Sequence, residues 1–239
     1  MSDSVEQFQR PPKLIYPLLE VTRAVSELVA LLHADRLLNR LPQGDAQPVM
    51  TLPGFGGSDG STRFLRKYIN RWGYAAQPWD MGRNLYPTDT SGLQGVFDVM
   101  DNVTETVGKR LHEIKKETGK KTSLVGWSLG GIYSRQIAAA YPDLVRQVVT
   151  LGTPYGDPRA NILWPLIRKV NTSPEPSAEE IKDWIDRANV PVEVPFSVLW
   201  SNSDGFVPPQ IARQTECPIT ENIHVHSSHT GFPVNPFVF

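Results

Sequence analysis

The chain has 239 residues, with 24 lysines and arginines against 25 aspartates and glutamates and a net charge of −1, so it offers no basic surface of the kind nucleic acid needs. Its length and average composition fit one α/β domain. Its one cysteine, Cys217, excludes an internal disulfide framework, reads as an idle or buried thiol, and has no Cys/His companions at zinc spacing.

The first residues, Met1 to Gln7, are polar and acidic where a secretory leader would be basic and then apolar, which gives the expectation of a cytoplasmic protein. From Pro17 to about Ala34, Leu18, Val21, Val25, Leu28, Val29 and Leu32 recur at helical intervals, interrupted by Glu20, Arg23 and Glu27. This is an amphipathic helix and not a transmembrane one. Its polar side lacks a basic cluster, so the stripe is expected to pack against the sheet or its neighbours rather than lie on lipid. Residues 1–44 read as a helical segment packed on the core, and 45–239 as the main domain.

Pro48 to Leu52 reads as a buried strand running into the glycine-rich Pro53-Gly54-Phe55-Gly56-Gly57. A helix over Ser61 to Trp72, a strand over Tyr74 to Trp79 and a long helix from Gly92 to about Thr118 follow; Lys115, Lys116, Lys120 and Lys121 at its end favour the helix dipole as a solvated cap. Thr122 to Val125 is a strand, Gly131 to Tyr141 a helix and Leu144 to Leu151 a strand. Strands alternating with helices imply a mostly parallel sheet with crossover helices. Between Tyr155 and Pro191 the pattern becomes two short helices, Asn161 to Val170 and Ser177 to Ala188, separated by Asn171-Thr172-Ser173-Pro174-Glu175-Pro176. That insertion is a candidate cap over the sheet's C-terminal edge. Strands over Val194 to Trp200 and Asn222 to His226 complete the series.

The chemistry centres on Gly126-Trp127-Ser128-Leu129-Gly130, set between a strand and a helix as a nucleophile elbow requires. A serine on so sharp a turn has a strained backbone, and the glycines two residues to either side leave room for it. Five letters alone also describe an ordinary glycine-rich turn, so the rest of the chain must supply the partners. The N–H of Leu129, after the nucleophile, and that of Phe55, in the loop after an early strand, match the two oxyanion donors of this design. Asp204, in Ser201-Asn202-Ser203-Asp204-Gly205, follows a strand and can hold a histidine's Nδ1–H, although Asp-Gly is also a common turn. His229 lies in the loop after the last strand and is the candidate base.

Weaker candidates exist. His224 and His226 sit on the strand itself; His33 and His112 precede the nucleophile within helices; Asp143 reads as solvated; Asp157 is a reserve acid. Leu163, Trp164, Leu166 and Trp184 either line an acyl pocket or hold the cap together. Trp127, Tyr155, Leu163 and Trp164 are the candidate substrate contacts.

Pro53-Gly54-Phe55, Gly73-Tyr74 with Trp79 and Gly82-Arg83-Asn84, Gly126-Trp127-Ser128-Leu129-Gly130-Gly131, Gly152-Thr153-Pro154, Ser203-Asp204-Gly205-Phe206-Val207 and Ser228-His229 together resemble a bacterial α/β-hydrolase of the lipase/esterase type over roughly 45–236. The resemblance implies an α/β-hydrolase fold, with a mostly parallel central sheet flanked by helices and a small helical cap insertion at about 155–191. It also implies hydrolysis of small-molecule carboxylic esters, lipid-like ones included, through an acyl-enzyme, without metal or organic cofactor. An acyltransferase or thioesterase would use the same three side chains, and a non-catalytic binding protein on this fold is a further alternative. A serine at the elbow, where dehalogenases and epoxide hydrolases carry aspartate, speaks against those two. Two departures stand out: Pro53 occupies the place of the histidine in many lipase oxyanion loops, and the chain stops at Phe239, where related hydrolases continue into a last helix.

Overall fold

The apolar runs pair into one sheet. In the computed structural model, which describes residues 12, 15–85, 93–170 and 175–239, the strands are β1 (Pro48–Leu52), β2 (Ala75–Pro78), β3 (Thr122–Trp127), β4 (Val145–Leu151), β5 (Phe196–Trp200) and β6 (Thr220–His224). They lie in the order β2-β1-β3-β4-β5-β6, and every pairing is parallel. The expectations resting on Met1 to Gln7, on Gly92 and on Asn171 to Pro174 lie outside the described residues.

Parallel neighbours need crossovers, and these come from α2 (Arg63–Arg71), α3 (Gln94–Thr118), α4 (Leu129–Ala140), α5 (Trp164–Val170), α6 (Ala178–Ala188) and the single turn α7 (Pro209–Ala212). The helix expected from Ser61 opens instead with a 3-10 turn over Asp59–Thr62. The pleat sends alternate side chains to opposite faces. Met50, Leu52, Leu124, Val148 and Val198 therefore meet Val107, Leu111, Ile132 and Ile137 of α3 and α4. Val49, Leu151 and Leu199 face the other way, onto Leu65 and Ile69 of α2 and onto Phe232.

The connection from β1 goes outward to β2, and the chain then returns to β3 on the opposite side of β1. Such a reversal opens a crevice at the strands' C-terminal ends, between the loop after β1 and the turn after β3. Those two segments are Pro53–Gly57 and the Ser128 turn.

The insertion between β4 and β5 packs through α6 onto α4. Trp184 is buried and donates its Nε1–H to Gly156 O at 3.2 Å, while the Arg135 guanidinium of α4 donates to Val190 O at 2.7 Å and Asn189 O at 3.2 Å. Of the two roles open to Trp184, the structure gives it the one that holds the insertion together. Leu166 points outward, half exposed.

The first helix, α1 (Ile15–Leu38), departs from the sequence-based expectation. Leu18 is 81% and Val21 73% exposed, and Val25, Val29 and Leu32 are exposed as well. The side turned to the domain carries Glu20, Arg23 and Glu27, and only further along does it bury Leu31 and Leu38, against Tyr68. The physical reason lies in the surface it meets: loops rich in backbone N–H groups that require acceptors, which aliphatic side chains cannot supply. The chain's end covers the same helix pair, with the Phe239 ring edge-on to Tyr68 and Trp72 at 5.1 and 5.9 Å.

Candidate active site

Ser128 links β3 to α4 with φ 54° and ψ −122°, a left-handed conformation that a non-glycine residue adopts only under constraint. The constraint is visible on both sides. A Cβ on Gly126 would stand 2.3 Å from Gly130 O, and one on Gly130 would stand 2.3 Å from Leu52 O, so neither position admits a side chain. The serine heads α4, whose first-turn N–H groups have no acceptor within the helix and whose dipole favours negative charge there. The loop after β1 rests on it: a Cβ on Gly54 would lie 3.1 Å from Ser128 Cβ.

Ser128 Oγ lies 3.0 Å from His229 Nε2, and His229 Nδ1 lies 2.7 Å from Asp204 Oδ2. All three residues are buried. The second oxygen of Asp204, Oδ1, accepts the N–H groups of Phe206 and Val207, both at 2.8 Å, which fixes the carboxylate plane. Trp127, Phe206 and Phe232 surround the imidazole with ring centroids at 6.0, 5.1 and 6.4 Å, and Trp127 Nε1–H donates to His229 O at 3.0 Å. Burial pulls the imidazole's pKa down. The charge and hydrogen bond of Asp204 and the charge of Glu20 outweigh that and hold it above the ordinary histidine value. The arrangement can move a proton from the hydroxyl to the imidazole and stabilise the imidazolium that results.

The other candidate residues stand elsewhere. Tyr155 is a core residue, 2% exposed, with its hydroxyl donating to Thr150 Oγ1 at 2.7 Å and its ring edge-on to Phe196, so its part is packing where the sequence alone suggested a substrate contact. Asp157 caps the 3-10 turn Pro158–Ala160 and pairs with Arg159 rather than with a histidine. Cys217 is exposed. His33 lies exposed on α1, His112 packs edge-on to Tyr141, and His224 lies tilted against Trp200 at the sheet edge. Trp164 is buried in the cluster that contains Leu129 and Trp184, with no partner for its Nε1–H, and Leu163 beside it is half-buried. Among the described residues no three His, Cys, Asp or Glu side chains converge as a metal site.

Two groups of supporting residues were given no role by the sequence reading. Asn84 is buried beneath the loop after β1. Its Nδ2 donates to Pro53 O at 2.8 Å, its Oδ1 accepts Tyr133 O–H at 3.0 Å, and its backbone exchanges hydrogen bonds with Gly56 and Gly57. The sequence offered it only as the last residue of the Gly82-Arg83-Asn84 motif. Glu20, Arg23 and Glu27 of α1 contact the loops that carry Asp204 and His229; in the sequence they look like breaks in an apolar stripe.

The fold and this serine–histidine–aspartate geometry define a class, and the comparisons agree with it. Residues 48–169 match the model of the alpha/beta hydrolase fold family, and the chain belongs to that family. Two relatives, triacylglycerol lipases of Pseudarthrobacter phenanthrenivorans and Burkholderia plantarii, are each 31% identical over 109 residues, 45% of this chain. The matched stretch spans 33% and 29% of those relatives' own length. Among solved structures, a Bacillus licheniformis lipase superposes with TM-score 0.57 at 20% identity, covering 82% of this chain and 89% of its own. A Paleococcus ferrophilus monoacylglycerol lipase gives 0.53 at 17% identity, covering 79% and 88%. These likenesses concern the fold. No described helix is long and apolar enough to cross a membrane.

Proposed function

We propose that the chain is a serine hydrolase that cleaves carboxylic esters through an acyl-enzyme on Ser128. The observation that carries this reading is the continuous buried relay from Asp204 Oδ2 through the His229 ring to Ser128 Oγ, with contacts of 2.7 and 3.0 Å, on a serine at φ 54°. Membership of the family and relatives named triacylglycerol lipases support an ester as substrate.

His229 Nε2 takes the hydroxyl proton as Ser128 Oγ bonds to the ester carbonyl carbon. The carbonyl electron pair moves to oxygen, and the N–H groups of Leu129 and Phe55 hold that oxyanion; losing one such donor typically costs on the order of 10²–10³ in rate. The tetrahedral adduct collapses, the C–O bond to the alcohol breaks, and the departing oxygen takes the proton from His229. Water then gives its proton to the same nitrogen as it attacks the acyl carbon, and the acid leaves as Ser128 Oγ recovers a proton. Asp204 fixes the tautomer and balances the imidazolium throughout. The insertion between β4 and β5 is the cap, and Leu163 and Trp164, with Trp127, are its contacts to the acyl group.

Ser128→Ala tests the reading. Turnover of p-nitrophenyl esters and labelling by a fluorophosphonate are both expected to vanish with the circular-dichroism spectrum unchanged. Retained turnover rejects Ser128 as nucleophile, and transfer of the acyl group to added alcohols in preference to water would make the protein an acyltransferase.

A further inference from the structure

The first half of helix α1 meets the domain through Glu20, Arg23 and Glu27, and each of the three lands beside a member of the Asp204–His229 pair. Glu20 Oε1 accepts the N–H of Gly205 at 2.8 Å and that of His229 at 3.0 Å, while Oε2 accepts the N–H and the hydroxyl of Thr230, both at 3.0 Å. One turn on, Arg23 donates to Ser203 O and to Ser203 Oγ, and two turns on, Glu27 accepts the N–H of Ser228 at 2.7 Å and its hydroxyl at 2.5 Å. Positions 20, 23 and 27 fall on one row of a helix, so one rigid element clamps both loops at once.

The contact is built to be close. A Cβ on Gly205 would stand 2.5 Å from Glu20 Oε1, and one on Gly231 would stand 1.4 Å from Glu27 Oε2, so glycine is needed at both places for the carboxylates to reach the backbone. A carboxylate only 2% exposed is costly unless its oxygens are satisfied, and Glu20 has four donors for two oxygens. Meanwhile the aliphatic stripe of the same helix faces outward. Burial of apolar surface therefore does not explain how this part of α1 is docked; acceptance of the loop N–H groups does. Asp204 and His229 sit on separate loops, after β5 and after β6, and their 2.7 Å contact exists only while those loops keep their spacing.

We propose that Glu20 is a positioning residue for the proposed hydrolytic relay: it ties the backbone of the acid's loop to that of the base's loop, with Glu27 and Arg23 as its flanking anchors. The inference rests on the reading of Ser128, Asp204 and His229 as the reacting set. Charged and titratable groups around the imidazole are Asp204, Glu20, Glu27 and Arg23, the last 3.8 Å from Glu27 as an ion pair. Removing the charge of Glu20 takes away one influence that holds the imidazole protonated, so the acid limb of the activity profile moves to lower pH.

The test compares the wild-type chain with Glu20→Ala, Glu20→Gln and an outward control, Val25→Ser, on a p-nitrophenyl ester, with rates expressed per site titrated by a fluorophosphonate. Misplacement of the pair should lower kcat of Glu20→Ala by about 10²-fold and of Glu20→Gln by about tenfold, with KM within about threefold. Glutamine is the milder change because its one oxygen still accepts Gly205 and His229 while its amide opposes the Thr230 donors. Both variants should shift the acid limb of kcat/KM downward, and Val25→Ser should match wild type. The proposal is overturned if either Glu20 variant, per titrated site, keeps the wild-type kcat and pH profile, even where less of the protein folds; should Glu20→Ala yield no folded protein, Glu20→Gln alone decides. A wild type that neither turns over esters nor labels refutes the functional reading itself, whereas an active, labelled wild type matched by its Glu20 variants refutes only the role of Glu20.

Discussion

Replacing Asp204 by asparagine probes the relay through a single proton. Oδ1 of the carboxylate already accepts Phe206 and Val207 N–H, each at 2.8 Å, and Oδ2 faces His229 Nδ1 at 2.7 Å. Asparagine keeps the two backbone bonds only with its oxygen on that side, which turns its –NH2 toward the imidazole. The ring must then offer a lone pair at Nδ1 and carry its proton at Nε2, where Ser128 Oγ, 3.0 Å away, needs an acceptor. With the wrong tautomer locked in a buried site, kcat should fall on the order of 10⁴-fold. At about 1.4 kcal/mol per tenfold, that is about 5.5 kcal/mol of lost transition-state stabilisation. Single-turnover and steady-state hydrolysis of a p-nitrophenyl ester measure it, with KM expected to stay within about threefold because no contact to the substrate is altered. An Asp204→Asn protein that retains a tenth of the wild-type kcat would refute the tautomer argument and with it the assignment of the acid.

The pH dependence has a defined sign. In the proposed mechanism His229 must be neutral to accept the serine proton, and its pKa is held above the ordinary histidine value, so kcat/KM should rise with pH through a midpoint above that value. A raised folded-state pKa also means that the stabilisation from the charged imidazole is complete below about 6.5 and is lost as pH climbs through the folded-state value; denaturant midpoints at a series of pH values would show stability declining over that window. Asn84→Ala removes the hydrogen bonds to Pro53 O and Tyr133 O–H, which should cost about 1–3 kcal/mol of stability. Because that loop rests on Ser128, kcat should fall about tenfold or more with the fold retained; an unchanged kcat would separate Asn84 from the proposed oxyanion loop.

Much of the fold could be read from local chemistry. Short apolar runs closed by glycine or turn residues marked the strands, and the parallel order followed from helices placed between them. Ser128 was legible because its backbone conformation forbids a Cβ at Gly126 and Gly130, a demand written directly into the letters. Asp204 and His229 were legible from their position just past a strand, where loops gather at one edge of a parallel sheet.

The sequence by itself determined which residues share a face and in what order the three polar groups arrive at the sheet edge, since periodicity and chain order are properties of the polymer. Which face of α1 turns inward was decided only by the tertiary structure. Leu18, Val21 and Val25 form a convincing core stripe until the loops around Asp204 and His229 are in place, with backbone N–H groups that Glu20 and Glu27 can satisfy and aliphatic carbon cannot. The same holds for Asn84 and Tyr155. Whether an amide braces a loop, or a tyrosine ring fills the core rather than a pocket, depends on neighbours that lie far away along the chain, and no local pattern encodes them.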